Sequence, residues 1–135
     1  MRRDRWTKRR AQHTMPSDLV ISEHPVDDER HVVALRGEVD LFTAHELKQV
    51  FAEAIRAGRI RIIVDLAETT FLDSSALSVL MIALKRLRSR HGALAIVNPN
   101  ENLTKIFKMT ALDQTFTILP TREAAIEAVA SADVA

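Results

Sequence analysis

The feature that most constrains the fold is an alternation. From residue 19 onward, short β-branched or alternating runs take turns with longer stretches of helical period, uninterrupted by a long linker or an internal repeat. Residues 19–23 and 31–38 read as two strands, parted by Pro25 and the acidic turn Asp27-Asp28-Glu29. In the second, Val33 and Leu35 alternate with Ala34 and Arg36. Thr43 and Glu46 fit a capping box, a hydroxyl at the helix start with a carboxylate three residues on. Leu47, Val50, Phe51, Ala54 and Ile55 follow at helical spacing, and Gly58 is a C-terminal stop.

Residues 60–66 carry Ile62, Ile63 and Val64, the unbroken apolar character of a strand buried on both faces. A second helix is expected over residues 74–91, with Leu77, Leu80, Met81, Leu84 and Leu87 as its apolar stripe and Gly92 ending it. The basic group from Lys85 to Arg90 suits the helix's C-terminal dipole and reads as a solvated face. Residues 94–97 form another buried strand, and Asn98-Pro99-Asn100 opens a short helix with Leu103, Ile106 and Phe107 inward. Residues 116–119 are a last strand, and Thr121 caps a helix carrying Ala125, Ile126 and Val129. The five phenylalanines fall among apolar positions and read as core. The order ββαβαβαβα predicts a single α/β domain: a mixed, mainly parallel sheet with about four α-helices, its leading strand pair antiparallel at an edge.

Composition narrows the chemistry. With 135 residues, 47% hydrophobic and 27% charged, the chain has the make-up of one globular domain that needs no staple. It contains no cysteine, which excludes disulfides, thiolate nucleophiles and cysteine-bound metals. None of the five histidines pairs at a metal-ligand spacing such as HExxH. No apolar run approaches the roughly 18 residues of a membrane span, and the basic N-terminus lacks the hydrophobic stretch of a secretory signal. The expectation is a cytoplasmic protein with no cofactor, no metal and no membrane contact.

The net charge of +1 conceals an asymmetry. Arg2, Arg3, Arg5, Lys8, Arg9 and Arg10 against Asp4 give residues 1–15 a net of +5, leaving 13 basic and 17 acidic groups in the remainder, a net of −4. Residues 1–16 read as a basic, disordered leader and residues 17–135 as the domain. Such a leader can touch nucleic acid or an anionic membrane, with Trp6 among the arginines, but charge blocks of this size are usually solvated tails. No direct nucleic-acid contact is therefore expected.

In open α/β sheets, functional groups gather in loops beyond the carboxyl ends of the strands. Three such loops are polar: Gly37-Glu38-Val39-Asp40, Phe71-Leu72-Asp73-Ser74-Ser75-Ala76-Leu77, and Asn98-Pro99-Asn100-Glu101. They hold no GxxxxGK[ST] loop, no GxGxxG fingerprint and no GxSxG elbow, and no histidine in them serves Ser74 or Ser75 as a base. A receiver-type phosphotransfer protein would use Asp65 at a strand end, but it also needs an acidic pair, and the first strand ends on Glu23 alone. Asp73 and the serines after it are equally good helix caps.

The stretches VVALRGEVDLFTAHELKQVF, IRIIVDLAETTFLDSSALSVLMIALKRLRSRHGALAIVN and IFKMTALDQTFTILPTREAAIEAV resemble the STAS domain, specifically the bacterial anti-sigma factor antagonists. The Gly-Glu-Val-Asp loop, the strand ending Asp65-Leu66, the Asp73-Ser74-Ser75 helix start and the turn from Leu112-Asp113 to Phe116 occur in the family's order and spacing. The resemblance implies a switch rather than an enzyme. It implies that an anti-sigma factor of the GHKL serine-kinase type would bind the unphosphorylated protein, give up its sigma factor, and phosphorylate Ser74. It likewise implies a metal-dependent serine phosphatase that would reverse the mark. Glu38, Asp40, Asp73, Ser75 and Ser78 are the partner-contact candidates. A related STAS subunit of a stress-signalling or lipid-transport assembly stands as the alternative. Two family glycines are replaced, by Ala76 and Ala111; alanine suits a helix better, so folding should not suffer, whereas a methyl at position 76 is expected to limit how closely a kinase approaches.

Overall fold

The computed structural model describes residues 5–7 and 19–130. Six strands form one sheet in sequential order: β1 (Arg5–Thr7), β2 (Val20–Pro25), β3 (Arg30–Val39), β4 (Arg61–Leu72), β5 (Ala93–Val97) and β6 (Thr117–Leu119). The β1–β2 and β2–β3 pairs are antiparallel, and all later pairs are parallel. Between the strands run α1 (Leu41–Arg56), α2 (Ser74–Arg88), α3 (Glu101–Met109), a 3₁₀ turn (Leu112–Gln114) and, after β6, α4 (Arg122–Ala130). The mixed, mainly parallel α/β architecture is the one the alternation predicts. One element is additional: Arg5–Thr7 lies in the segment expected to be disordered, yet pairs with β2, with Trp6 opposite Ser22. The rest of that leader lies outside the described residues.

The side-chain period explains the layers. In β4, Ile62, Val64 and Leu66 face one way and Ile63 the other, as period 2 requires. The first face carries the larger core, built with Leu35 of β3, Ile96 of β5, Leu47 and Val50 of α1, Leu80 and Leu84 of α2, and Leu103 and Phe107 of α3. The second face is lined with small residues, Ala93, Ala95 and Val97, which let Ala125 and Val129 of α4 approach closely. Each large aliphatic side chain buried this way contributes about 1.5–3 kcal/mol. Phe107 and Phe116 add an edge-to-face ring pair at 6.2 Å.

Several local expectations are corrected. The cap of α1 is Asp40, not Thr43: its carboxylate accepts from the Phe42 and Thr43 amides, and the Thr43 hydroxyl accepts from the Asp40 amide at 2.9 Å. Strand β4 does not end at Asp65–Leu66 but continues to Leu72, because β3 keeps pairing with it through two register shifts. Helix α2 stops at Arg88, and His91, not Gly92, takes the left-handed conformation after it. Gly92 is needed for a different reason: a Cβ there would run into the carbonyl of Ile60. Phe51, Phe107 and Phe116 are core, whereas Phe42 and Phe71 are 58% and 43% exposed.

Candidate functional site

Register delivers the first two loops to one place. The β3–β4 ladder sets Glu38 opposite Phe71 and Val39 opposite Leu72, and the Asp73 amide then donates to the Val39 carbonyl at 3.1 Å. Gly37, at a φ of 111° beside a register shift, supplies the bulge that re-aims Glu38 and Val39. The starts of α1 and α2 consequently lie side by side at the carboxyl end of the sheet.

Asp73 caps α2: its carboxylate accepts from the Ala76 amide at 3.0 Å, and its carbonyl from the Leu77 amide. Ser74 is the first helical residue and is exposed, and among the described residues its hydroxyl has no hydrogen-bond partner. The Ser74 and Ser75 amides precede the first intrahelical donors, so the helix end offers N–H groups and a positive dipole end beside that hydroxyl. Ser75 is half-buried and Ser78, one turn on, is exposed. Glu38, near the end of β3, and Asp40, between β3 and α1, are both half-buried, and the Asp40 carboxylate is committed to capping α1. The third loop closes nearby, the Asn100 amide group donating to the Thr69 carbonyl at 3.4 Å while Asn100 caps α3.

Ser74 also opens onto an apolar groove of about 420 Å³ that the sequence reading missed. Leu77, Met81 and Ile82 of α2 form one bank, with Ser78 among them, and Thr110 and Leu112 form the other. Leu77 and Met81 of the predicted stripe are half-buried and pack against the core, while Ile82, outside that stripe, is exposed, so the helix's apolar arc continues to the surface. Near the α1 start, Leu41 and Phe42 are exposed, and Phe71 is exposed at the end of β4. The missed signal was the step from Leu80 and Leu84 to Met81 and Ile82, which widens the apolar arc beyond what one core face buries.

Ala76 is fully buried in the main core, so its methyl points inward and does not stand between Ser74 and a kinase, contrary to the expectation from its replacement of glycine. Ala111, the other replaced glycine, has a φ of 61° and is not helical, so the helix-propensity argument for alanine does not apply at that position. Asp65 lies mid-strand and is buried, its Oδ1 accepting the Ala67 amide at 2.9 Å and its Oδ2 the Arg122 guanidinium at 2.9 Å. A carboxylate so engaged is a structural ion pair rather than a displayed phosphoacceptor. At the other end of the sheet, an open depression of about 610 Å³ is edged by Asp27, Glu29, Arg30 and Arg61, which pair among themselves. There the Arg30 amide on the Asp27 carboxylate holds its pKa below the usual range. Among the described residues no helix is long and apolar enough to cross a membrane.

Comparison with known proteins agrees with this architecture. The STAS domain family matches residues 22–125. A Thermotoga maritima relative named as a candidate anti-sigma factor antagonist is 30% identical over 107 residues, covering 78% of this chain and 95% of the relative. The anti-sigma-B factor antagonist of Listeria monocytogenes is 29% identical over 99 residues, covering 73% of this chain and 84% of that one. The crystal structure of an anti-sigma factor antagonist from Mycobacterium paratuberculosis superposes with a TM-score of 0.72 at 25% identity, covering 88% of this chain and all of that one. With its sheet order, its paired loops and a family match over most of its length, the chain belongs to the STAS-domain family.

Proposed function

We propose that this protein is a cytoplasmic anti-sigma factor antagonist, with no catalytic activity of its own, that an anti-sigma factor of the GHKL serine-kinase type switches off by phosphorylating Ser74. The observation that carries the reading is the exposed Ser74 hydroxyl at the start of α2, without a hydrogen-bond partner among the described residues and beside an apolar groove open to a partner. The similarity to the Listeria and Mycobacterium antagonists supports the general role.

The unphosphorylated protein presents the α2 start, the groove and the exposed Leu41, Phe42 and Phe71 to the anti-sigma factor, which surrenders its sigma factor. Exposed apolar groups beside a polar loop are what an interface core needs. Glu38, Asp40, Asp73, Ser75 and Ser78 supply the polar contacts around it. In phosphoryl transfer, the Ser74 oxygen bonds to the γ-phosphorus of ATP while the bond from that phosphorus to the ADP oxygen breaks. The hydroxyl proton leaves to a base on the kinase. The product carries about −1.5 to −2 of new charge, which the amides and dipole of the α2 start accommodate without disturbing the fold. Against a bound partner the same charge, set beside Asp73, resists desolvation and repels acidic groups. A shift of about 3–4 kcal/mol weakens binding a few hundredfold, enough for release. A serine phosphatase restores the hydroxyl and the cycle.

The test is phosphate mapping by mass spectrometry after incubation with purified GHKL-type kinases of the source organism and ATP. Wild type gains one phosphate on Ser74, and Ser74→Ala gains none while binding within a few-fold of wild type. Full labelling of Ser74→Ala overturns the assignment.

A further inference from the structure

Helix α2 is asymmetric along its length in a way the Ser74 switch does not use. Residues 74–100 contain no aspartate or glutamate, while Lys85, Arg86, Arg88 and Arg90 cluster at the helix's far end. All four are exposed, and among the described residues no ion pair engages them. This concentration stands out in a body whose net charge is −4. Cations there complement the helix dipole, but the dipole acts on any side of the last turn and selects no face.

Two of the four, Lys85 and Arg88, share one face. At 100° per residue, Ser74, Ser78, Met81, Lys85 and Arg88 follow one another along a single stripe, at spacings of four, three, four and three. The stripe begins at the Ser74 hydroxyl, runs through the apolar groove and ends on two cations, Lys85 and Arg88, while Arg86 lies off it. Lys85 and Arg88 stand about 16–21 Å from Ser74 along the helix axis.

Resting on the function proposed above, we infer that the anti-sigma factor lays a segment along α2, an apolar residue in the groove and a cluster of acidic side chains against Lys85 and Arg88. The occupant follows from charge complementarity and from continuity with the Ser74 end. An apolar centre flanked by cations matches an amphipathic segment acidic at one end. Two consequences follow. The basic end steers the encounter, so it acts on the association rate and fades with salt. It also fixes which way the partner lies, so that the kinase centre meets Ser74 and not the opposite end of the helix.

The experiment uses the full chain and the kinase that labels it, with association followed by stopped flow or surface plasmon resonance at low and at physiological salt. Lys85→Glu/Arg88→Glu lowers the association rate about tenfold or more at low salt and flattens its salt dependence, while dissociation changes less than threefold. The neutral pair Lys85→Gln/Arg88→Gln, which keeps the stripe polar without adding repulsion at the helix end, shows the same effect at smaller size. Because the chain has no cysteine, Ile82→Cys carries a single photocrosslinker, and the captured partner segment is read by mass spectrometry. A segment with acidic residues within about two helical turns of the crosslink is expected. Unchanged association in both pairs, or a captured segment without acidic residues, overturns the inference and leaves Ser74 phosphorylation standing. Absence of Ser74 labelling by any kinase overturns the underlying function, and this inference falls with it.

Discussion

At Ala111 the backbone adopts a φ of 61° between α3 and the 3₁₀ turn, a region where a Cβ crowds the following carbonyl. The strain is stored beside the groove, next to Leu112. Ala111→Gly should relieve it and raise stability by about 0.5–1 kcal/mol, the gain being trimmed by the freer unfolded chain. Thermal unfolding followed by circular dichroism should show a midpoint a few degrees higher, and an unchanged or lower midpoint would contradict the geometry. Helix propensity alone favours alanine, which is why the sequence pointed the other way. The cap of α1 shows a second kind of ambiguity. Asp40 with Thr43, and Thr43 with Glu46, both satisfy the spacing of a reciprocal cap, and only the point where β3 ends decides between them. At the start of α2 the residues alone left the cap open among Asp73, Ser74 and Ser75, and only the family resemblance singled out Ser74; the structure makes Asp73 the cap.

Elements were legible where their period was clean and illegible where pairing overrode it. The run Ala67-Glu68-Thr69-Thr70 looks like a loop, yet it is strand: the buried Thr69 hydroxyl donates to the Leu35 carbonyl at 2.8 Å, and the bulges in β3 absorb the register change. That extension carries β4 out to Leu72 and so delivers Ser74 to the α1 start. Phe42 and Phe71 were misread for a related reason, since apolar character does not reveal which side of an element faces the core. At the far end of the same elements, the Gly92 amide donates to the Leu87 carbonyl at 2.7 Å and the Ala93 amide to the Ile60 carbonyl at 2.9 Å, fastening α2 to the start of β5. Gly92→Ala should force that junction apart at a cost of about 2 kcal/mol or more, since the clash is with backbone rather than a flexible side chain. Urea unfolding would register it as a lower midpoint with an unchanged slope; an unchanged midpoint would mean that the junction yields freely.

For the whole molecule, the sheet keeps the two ends of α2 in different roles. Its carboxyl end gathers the proposed switch serine, the capping carboxylates and the exposed Leu41, Phe42 and Phe71, while the opposite end holds the acidic hairpin turn and the cations of α2, which no ion pair engages among the described residues. On the second face α4 packs Ala125 and Val129 over Ala93, Ala95 and Val97, and the first face bears the proposed traffic. The mean charge of the chain says little about any of this; its placement says more. A body already negative gains one more localised negative group at the α2 start, and the proposed switch is that increment. The central claim is tested most directly by titrating the anti-sigma factor kinase against this protein before and after stoichiometric phosphorylation of Ser74, using calorimetry. Affinity a few hundredfold weaker after phosphorylation, with an unchanged circular dichroism spectrum, is the predicted result. Equal affinity in the two states would contradict it.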